Sequence, residues 1–231
     1  MRGKFLKTRF SLVLLVAATA CLLLALSWPR LSASVRYLPV DTAMSSYWDG
    51  TEFDYTQLDG LINTAEQAIA IHDHYRYWDG LSELYIIAGG DLQRSFWQRR
   101  EALKKSISTA GEVVQRAPAK PRSWLRIARA MEFLAYPPEE IISALKMSIL
   151  TGRVEPTLML IRLELGLRQL SELDREALSL LRDQAVLTWT VQQRPMLKRI
   201  RDGSISSALL RKLLVDHQPG VLAEMESRFD Q

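Results

Sequence analysis

Few clusters in this sequence could do chemistry. His72-Asp73-His74 joins two imidazoles to a carboxylate, the side chains that hold zinc and similar ions. Residues two apart on a helix diverge by about 200°, so both rings would not face one metal. The i, i+4 histidine pairing of a metalloprotease helix is missing. The triplet is therefore expected as a polar helix face, and His217 stands alone. Glu139-Glu140 offers adjacent carboxylates, as general acid–base hydrolysis would need. Adjacent helical positions also diverge, and two acids after Pro138 suit the positive end of a starting helix. The sequence has no P-loop, no GxSxG elbow and no DxD-type motif for sugar-nucleotide transfer. One cysteine, Cys21, excludes an internal disulfide framework and a cysteine zinc site. The chain is read as a non-enzyme: catalytic residues none, metal none, cofactors none.

Two features suit binding rather than catalysis. Eleven of the nineteen aromatic residues lie between Tyr37 and Trp97, including Tyr47-Trp48, Tyr75, Tyr77-Trp78 and Phe96-Trp97. Such rings could stack on sugars or anchor a partner, and they equally suit a hairpin core. The formal charge is +4 and the pI about 9.3. Residues 1–40 carry six bases and no acid, whereas residues 41–93 hold ten acids against Arg76 alone. Residues 94–130 hold ten bases against Glu101 and Glu112. The basicity is thus a tail plus one block beside an acidic block, which argues against a nucleic-acid partner. The blocks are expected to bridge one another, with Arg94, Arg99, Arg100, Lys104 and Lys105 as the alternative contact for an acidic partner.

The elements that would position these residues begin at a membrane. Phe10 to Trp28 is nineteen residues without a charge, roughly 28 Å of helix against a hydrocarbon core of about 30 Å. Arg2, Lys4, Lys7 and Arg9 precede it and acidic sequence follows, which by the positive-inside rule leaves the N-terminus cytoplasmic. The core is long for a cleaved signal and ends in Trp28-Pro29-Arg30, so a retained single-pass anchor is expected. The expected organisation is a basic cytoplasmic tail at 1–9, a transmembrane helix at 10–28, a linker or stalk at 29–56, a periplasmic helical domain at 57–216 and a C-terminal tail at 217–231. Membrane lipid is the partner of residues 10–28.

Beyond the stalk the pattern is helical. Leu58, Leu61, Ile62, Ala65, Ala68 and Ile69 follow helical spacing and continue through Leu81, Leu84 and Ala88, with Asp79-Gly80 as the candidate break. A second helix is predicted over about 91–116 with Asp91 as N-cap. Proline-led starts place others at about 122–134, from Pro138 to about 150, and from Pro156. Ser171 and Asp174 resemble a capping box for a helix at about 172–190. Arg194-Pro195 is expected to open a short helix, followed by one at about 205–216. No strand alternation occurs. The fold class is all-α: one N-terminal transmembrane helix followed by a tetratricopeptide-like (TPR-like) α-hairpin array.

Pro118 to Trp124 matches the step from a tetratricopeptide unit's closing proline to the next unit's first aromatic. Ile127, Ala128 and Met131 then fall at its packing positions, so Trp124, Ile127, Ala128 and Met131 are the candidate array core. Pro121 and Pro156 are 35 residues apart, near the 34-residue period of that repeat. Between Ala110 and Leu214, the segments around Pro121, Trp124, Glu155-Pro156 and Arg194-Pro195 resemble VpsP-type polysaccharide biosynthesis proteins. Thr151-Gly152-Arg153-Val154 departs from the turn expected of them. The resemblance implies a small, membrane-anchored helical protein of exopolysaccharide or capsule assembly, and no catalytic motif.

These readings converge on a non-catalytic scaffold in the bacterial inner membrane, with the C-terminal domain periplasmic. Its expected partners are inner-membrane or periplasmic polysaccharide synthesis and export proteins, and glycan is a further candidate. Trp97, Arg100 and Lys104 are the candidate partner-binding residues. The alternatives are a general envelope scaffold for secretion, division or chaperoning, and a direct glycan-binding module.

Overall fold

The computed structural model describes residues 2–229, with side chains from Leu14 onward. The side chains of the basic tail 1–9 therefore lie outside the described residues. Among the described residues there is no strand. Ten α-helices follow one another among the described residues: α1 (Arg2–Trp48), α2 (Leu58–Ile71), α3 (Tyr75–Gly90), α4 (Phe96–Arg116), α5 (Pro121–Phe133), α6 (Pro138–Thr151), α7 (Pro156–Arg168), α8 (Arg175–Arg201), α9 (Ser207–Leu214) and α10 (Pro219–Glu226). The chain divides into two compact units, residues 1–81 and 82–231, and the division falls inside α3.

In the first unit, α1 is long and apolar enough to cross a membrane, and its apolar stretch is not buried by the rest of the chain. The segment 29–56, expected as a linker, continues as helix through Pro29 and Pro39 to Trp48. Ala33, Tyr37, Val40 and Met44, spaced 4, 3 and 4 apart, are buried on one face, and α1 packs against α2. Burial of that stripe outweighs the cost of two interior prolines, each of which removes a helical hydrogen bond. Arg76 bonds Asp41 at 2.5 Å, and Ser34 Oγ shares a hydrogen bond with the Tyr77 hydroxyl at 2.9 Å. Gly80 lies inside α3 and not at a break, because a Cβ there would overlap the Tyr37 hydroxyl.

The break falls instead at His72-Asp73-His74. His72 ends α2 in an extended conformation (φ −149°, ψ 112°), so the triplet is a joint and not a helix face. The His72 and His74 rings stack at 6.0 Å, and Trp78 donates its Nε1–H to Asp73 at 2.7 Å. His74 Nδ1 accepts the Arg76 backbone N–H at 3.3 Å, which ties the joint to the first turn of α3.

The second unit stacks helical hairpins. α5 packs on α4 and α6, and α7 packs on α8. Contacts also join α5 to α7 and α6 to α8, so matching members of successive hairpins touch, as in a helical repeat. Pro121 and Pro156 each open a 13-residue helix, α5 and α7. The repeat carries side-chain contacts across one period: Arg168 forks onto Glu132 at 2.7 and 2.8 Å, and Arg122 donates to Thr157 Oγ1 at 3.3 Å. Ile127 and Ala128 are buried with Leu125, Ile141 and Leu145, and Trp124 and Met131 pack against that cluster from its edge. Trp124 donates its indole N–H to the Pro118 carbonyl at 2.9 Å. α5 closes in a Schellman turn: Tyr136 N–H bonds Met131 O, Ala135 N–H bonds Glu132 O, and Ala135 takes φ 57°.

Several boundaries differ from the sequence reading for identifiable reasons. Asp174, and not Ser171, caps α8, accepting the Ala177 N–H at 2.7 Å. The helices expected before and after Arg194-Pro195 are one, α8, kinked at Gln192, three residues ahead of the proline that breaks its ladder. The segment 217–231, expected as a tail, contains α10, whose Leu222 and Met225 are buried with Leu210, Leu213 and Leu214.

Candidate interaction surface

The start of α4 is built to expose what a soluble helix usually hides. The turn from Asp91 to Ser95 is tied down from below. The buried Asp91 carboxylate accepts the Gln93 backbone N–H at 2.9 Å and Arg94 Nε at 3.2 Å. Ser95 then caps the helix in place of Asp91, in a reciprocal box: Gln98 N–H bonds Ser95 Oγ at 3.3 Å, and Ser95 N–H bonds Gln98 Oε1 at 2.9 Å. These bonds fix the backbone while Leu92, Phe96 and Trp97 point outward, 80%, 62% and 75% exposed. Phe96 and Trp97 meet edge-to-face at 5.3 Å, and the Arg100 guanidinium lies 5.6 Å from the Phe96 ring centre. One turn on, Lys104 and Glu101 are both exposed, 3.9 Å apart.

The basic block divides by task. Arg94 is spent on Asp91, and Arg99 donates its Nε–H to the Gly89 carbonyl at 3.0 Å, closing the end of α3. Lys105 lies over the Tyr85 ring at 5.4 Å. Arg126, buried, bonds Ser82 Oγ at 2.5 Å and pairs with Glu83. Bridging between the acidic and basic blocks is thus carried by Arg94 and Arg126. Of the three residues singled out from sequence, Trp97 and Arg100 belong to one patch, and Lys104 stands one turn further along the same helix. Leu92 was not assigned to the partner-binding set: it counted as the first apolar position of the helix predicted from 91, whereas it lies ahead of Ser95, in the turn before α4.

Further along the array, a buried arginine ties α7 to α6. Arg162, fully buried in α7, bonds the Ser148 hydroxyl at 2.9 Å, the Ser148 carbonyl at 2.6 Å and the Gly152 carbonyl at 2.8 Å. These are groups at the end of α6, whose last carbonyls have no helical partner. Burial pushes the Arg162 guanidinium down to about 10, with Glu155 opposing the shift. The carboxyl of Glu164 is raised by burial, with Arg199, Arg168 and Arg129 acting against it.

The other sequence candidates do not gather into a site. Glu139 and Glu140 are exposed in the first turn of α6. Burial, joined by the charges of His72, Arg76 and Arg30, holds the His74 imidazole below its usual range, while Asp73 acts oppositely. Among the described residues no three His, Cys, Asp or Glu side chains converge on a point where a metal would sit. Comparison of the chain with protein-family models, with curated proteins and with solved structures finds no match.

Proposed function

We propose that this chain is a membrane-anchored adaptor of bacterial exopolysaccharide or capsule assembly, with no reaction of its own. The observation that carries the reading is the pairing of an apolar candidate membrane helix with a helical array that exposes Leu92, Phe96, Trp97 and Arg100 on a backbone fixed by Asp91 and Ser95. Aromatic and arginine side chains of this kind dominate binding energy at protein interfaces, where truncating one costs about 2 kcal/mol or more. The membrane segment confines the array to the bilayer and raises its effective concentration near other membrane proteins. The charge pattern around residues 10–28 supports a cytoplasmic N-terminus and a periplasmic array in the inner membrane. The polysaccharide pathway rests on the VpsP-type resemblance, and the partners are then synthesis or export proteins at that membrane.

The test is a deletion strain that is assayed for secreted and surface polymer. It is complemented either by the full chain or by residues 30–231 behind a cleavable signal. The proposal expects a polymer defect rescued by the anchored form only. Normal polymer in the deletion, under conditions where the parent makes it, would remove the polysaccharide pathway and favour a general envelope scaffold. Saturable binding of purified polymer, lost in Trp97→Ala, would favour a glycan-binding module.

A further inference from the structure

The extramembrane half of α1 carries two apolar stripes on opposite faces. Ala33, Tyr37, Val40 and Met44 are buried within the first unit. About 180° around the helix, Leu31, Val35 and Leu38 are 57%, 57% and 55% exposed. The exposed stripe alternates steps of three and four without interruption through Cys21, Leu24, Trp28, Leu31, Val35, Leu38, Thr42 and Ser45. In heptad terms Leu24, Leu31 and Leu38 occupy successive d positions, and Val35 occupies the a position between the last two. Leucine at d with a β-branched residue at a favours two parallel strands.

We infer that this stripe pairs with the same stripe of a second copy of this chain, forming a parallel two-helix seam that rises from the membrane along α1. Three observations select a second copy as the occupant. First, a parallel seam sets each a residue against its own counterpart and each d against its own. A copy anchored by the same helix presents Leu31, Val35 and Leu38 at the same height, prolines included. Second, the flanking positions hold no opposed like charges. They are Ala25, Ser27, Ser32, Ser34, Pro39, Asp41 and Ser46, and Asp41 is engaged by Arg76. Third, the face is open beyond the stripe. Val35, Leu38 and Thr42 border a groove of about 730 Å³ whose far wall includes Phe53 and Leu61, room for a neighbouring helix's side chains. Thr42 donates its hydroxyl to the Leu38 carbonyl at 3.0 Å, so it brings no unmet donor into the seam. The seam brings two anchors and two arrays together at one place in the membrane, and it holds independently of which pathway the protein serves.

The test uses the full chain in membranes. Cys21 is replaced by Ser, and single cysteines are placed at Leu31, Val35 and Leu38 on the stripe and at Arg30 and Arg36 off it. After copper–phenanthroline oxidation, disulfide-linked dimer is expected several-fold more abundant at 31, 35 and 38 than at 30 and 36. The chain with its native Cys21 is expected to give the same dimer, and Leu38→Glu to abolish it. Cross-linking that is absent, or equal at all five positions, would overturn the seam. A product joining position 35 or 38 to a different protein would overturn the assignment to a second copy. Near-ultraviolet circular dichroism of Leu38→Glu separates loss of pairing from loss of folding.

Discussion

Gly166 gives the sharpest numerical test of the hairpin packing that holds the array. It lies in α7, where a Cβ would overlap Leu181 Cδ1 and stand 2.8 Å from Cδ2 and 3.2 Å from Cγ. Leu181 is fully buried in one cluster with Leu163, Leu167, Ala185 and Trp189, so it can give way only by displacing packed neighbours. Overpacking of this kind costs about 1–3 kcal/mol. Alanine recovers up to about 1 kcal/mol of helix propensity over glycine. Gly166→Ala is therefore expected to destabilise the second unit by up to about 2 kcal/mol, at roughly 2–4 °C in Tm per kcal/mol for a unit of this size. Gly111 in α4 is the internal control, since nothing lies within 4 Å of its Cβ position. Gly111→Ala is expected to stabilise by about 0.5–1 kcal/mol. Combining Gly166→Ala with Leu181→Ala opens room for the methyl, so the double variant should lose less than the sum of the singles, by about 0.5–3 kcal/mol. Thermal unfolding of the full chain in mild detergent, followed by circular dichroism, reads all four proteins. If Gly166→Ala proved as stabilising as Gly111→Ala, the close approach of α7 and α8 would be refuted.

Further outcomes follow from the same contacts. Ala135→Gly should raise stability by up to about 1 kcal/mol, because glycine accepts φ 57° without the left-handed strain of an L residue; equilibrium denaturation measures it. Ser95→Ala should cost about 1 kcal/mol and speed amide exchange over residues 95–98, since it removes the capping box under Phe96 and Trp97. Arg99→Ala should lower stability by about 1–2 kcal/mol through loss of its bond to Gly89, whereas Arg100→Ala should leave the melting curve unchanged. Asp54, Asp174 and Asp202 have carboxyls held below the usual 3.8, chiefly by the Thr56 hydroxyl, the Ala177 N–H and the Ser204 hydroxyl respectively. As pH falls the unfolded chain takes up these protons first, so their stabilisation is present above 3.8 and lost as pH drops through the native values. Changing all three to Asn should flatten the acid limb of a stability–pH curve.

The hairpin array was legible because proline marks its joints. Pro121, Pro138 and Pro156 open α5, α6 and α7 where a missing N–H costs nothing, and the 35-residue step between the first and last gives the repeat. The continuation of α1 was not legible. Stripes at 31, 35, 38 and at 33, 37, 40, 44 lie on opposite faces, so together they erase the single amphipathic period that marks a half-buried helix. Pro29 and Pro39 also read as breakers. The joint at residues 72–74 carries no glycine or proline, and Gly80 looked like a break because its close neighbour, Tyr37, is 43 residues away in sequence. Nothing in the sequence marks Arg162 as buried, and only the packed structure shows the α3 and α6 groups that receive Arg126 and Arg162. Trp97 and Arg100 stood out by residue type, but their exposure depends on the Asp91 and Ser95 bonds beneath them.

The central claim is that the patch at the start of α4 holds a partner in polymer assembly. It is tested most directly by the polymer output of cells carrying Phe96→Asp, Trp97→Asp and Arg100→Glu together in the full-length chain. Protein level and melting temperature serve as the check on folding. The account predicts wild-type abundance and stability with polymer reduced to the level of the deletion strain. Wild-type polymer from the patch variant, in a strain whose deletion abolishes polymer, would contradict it.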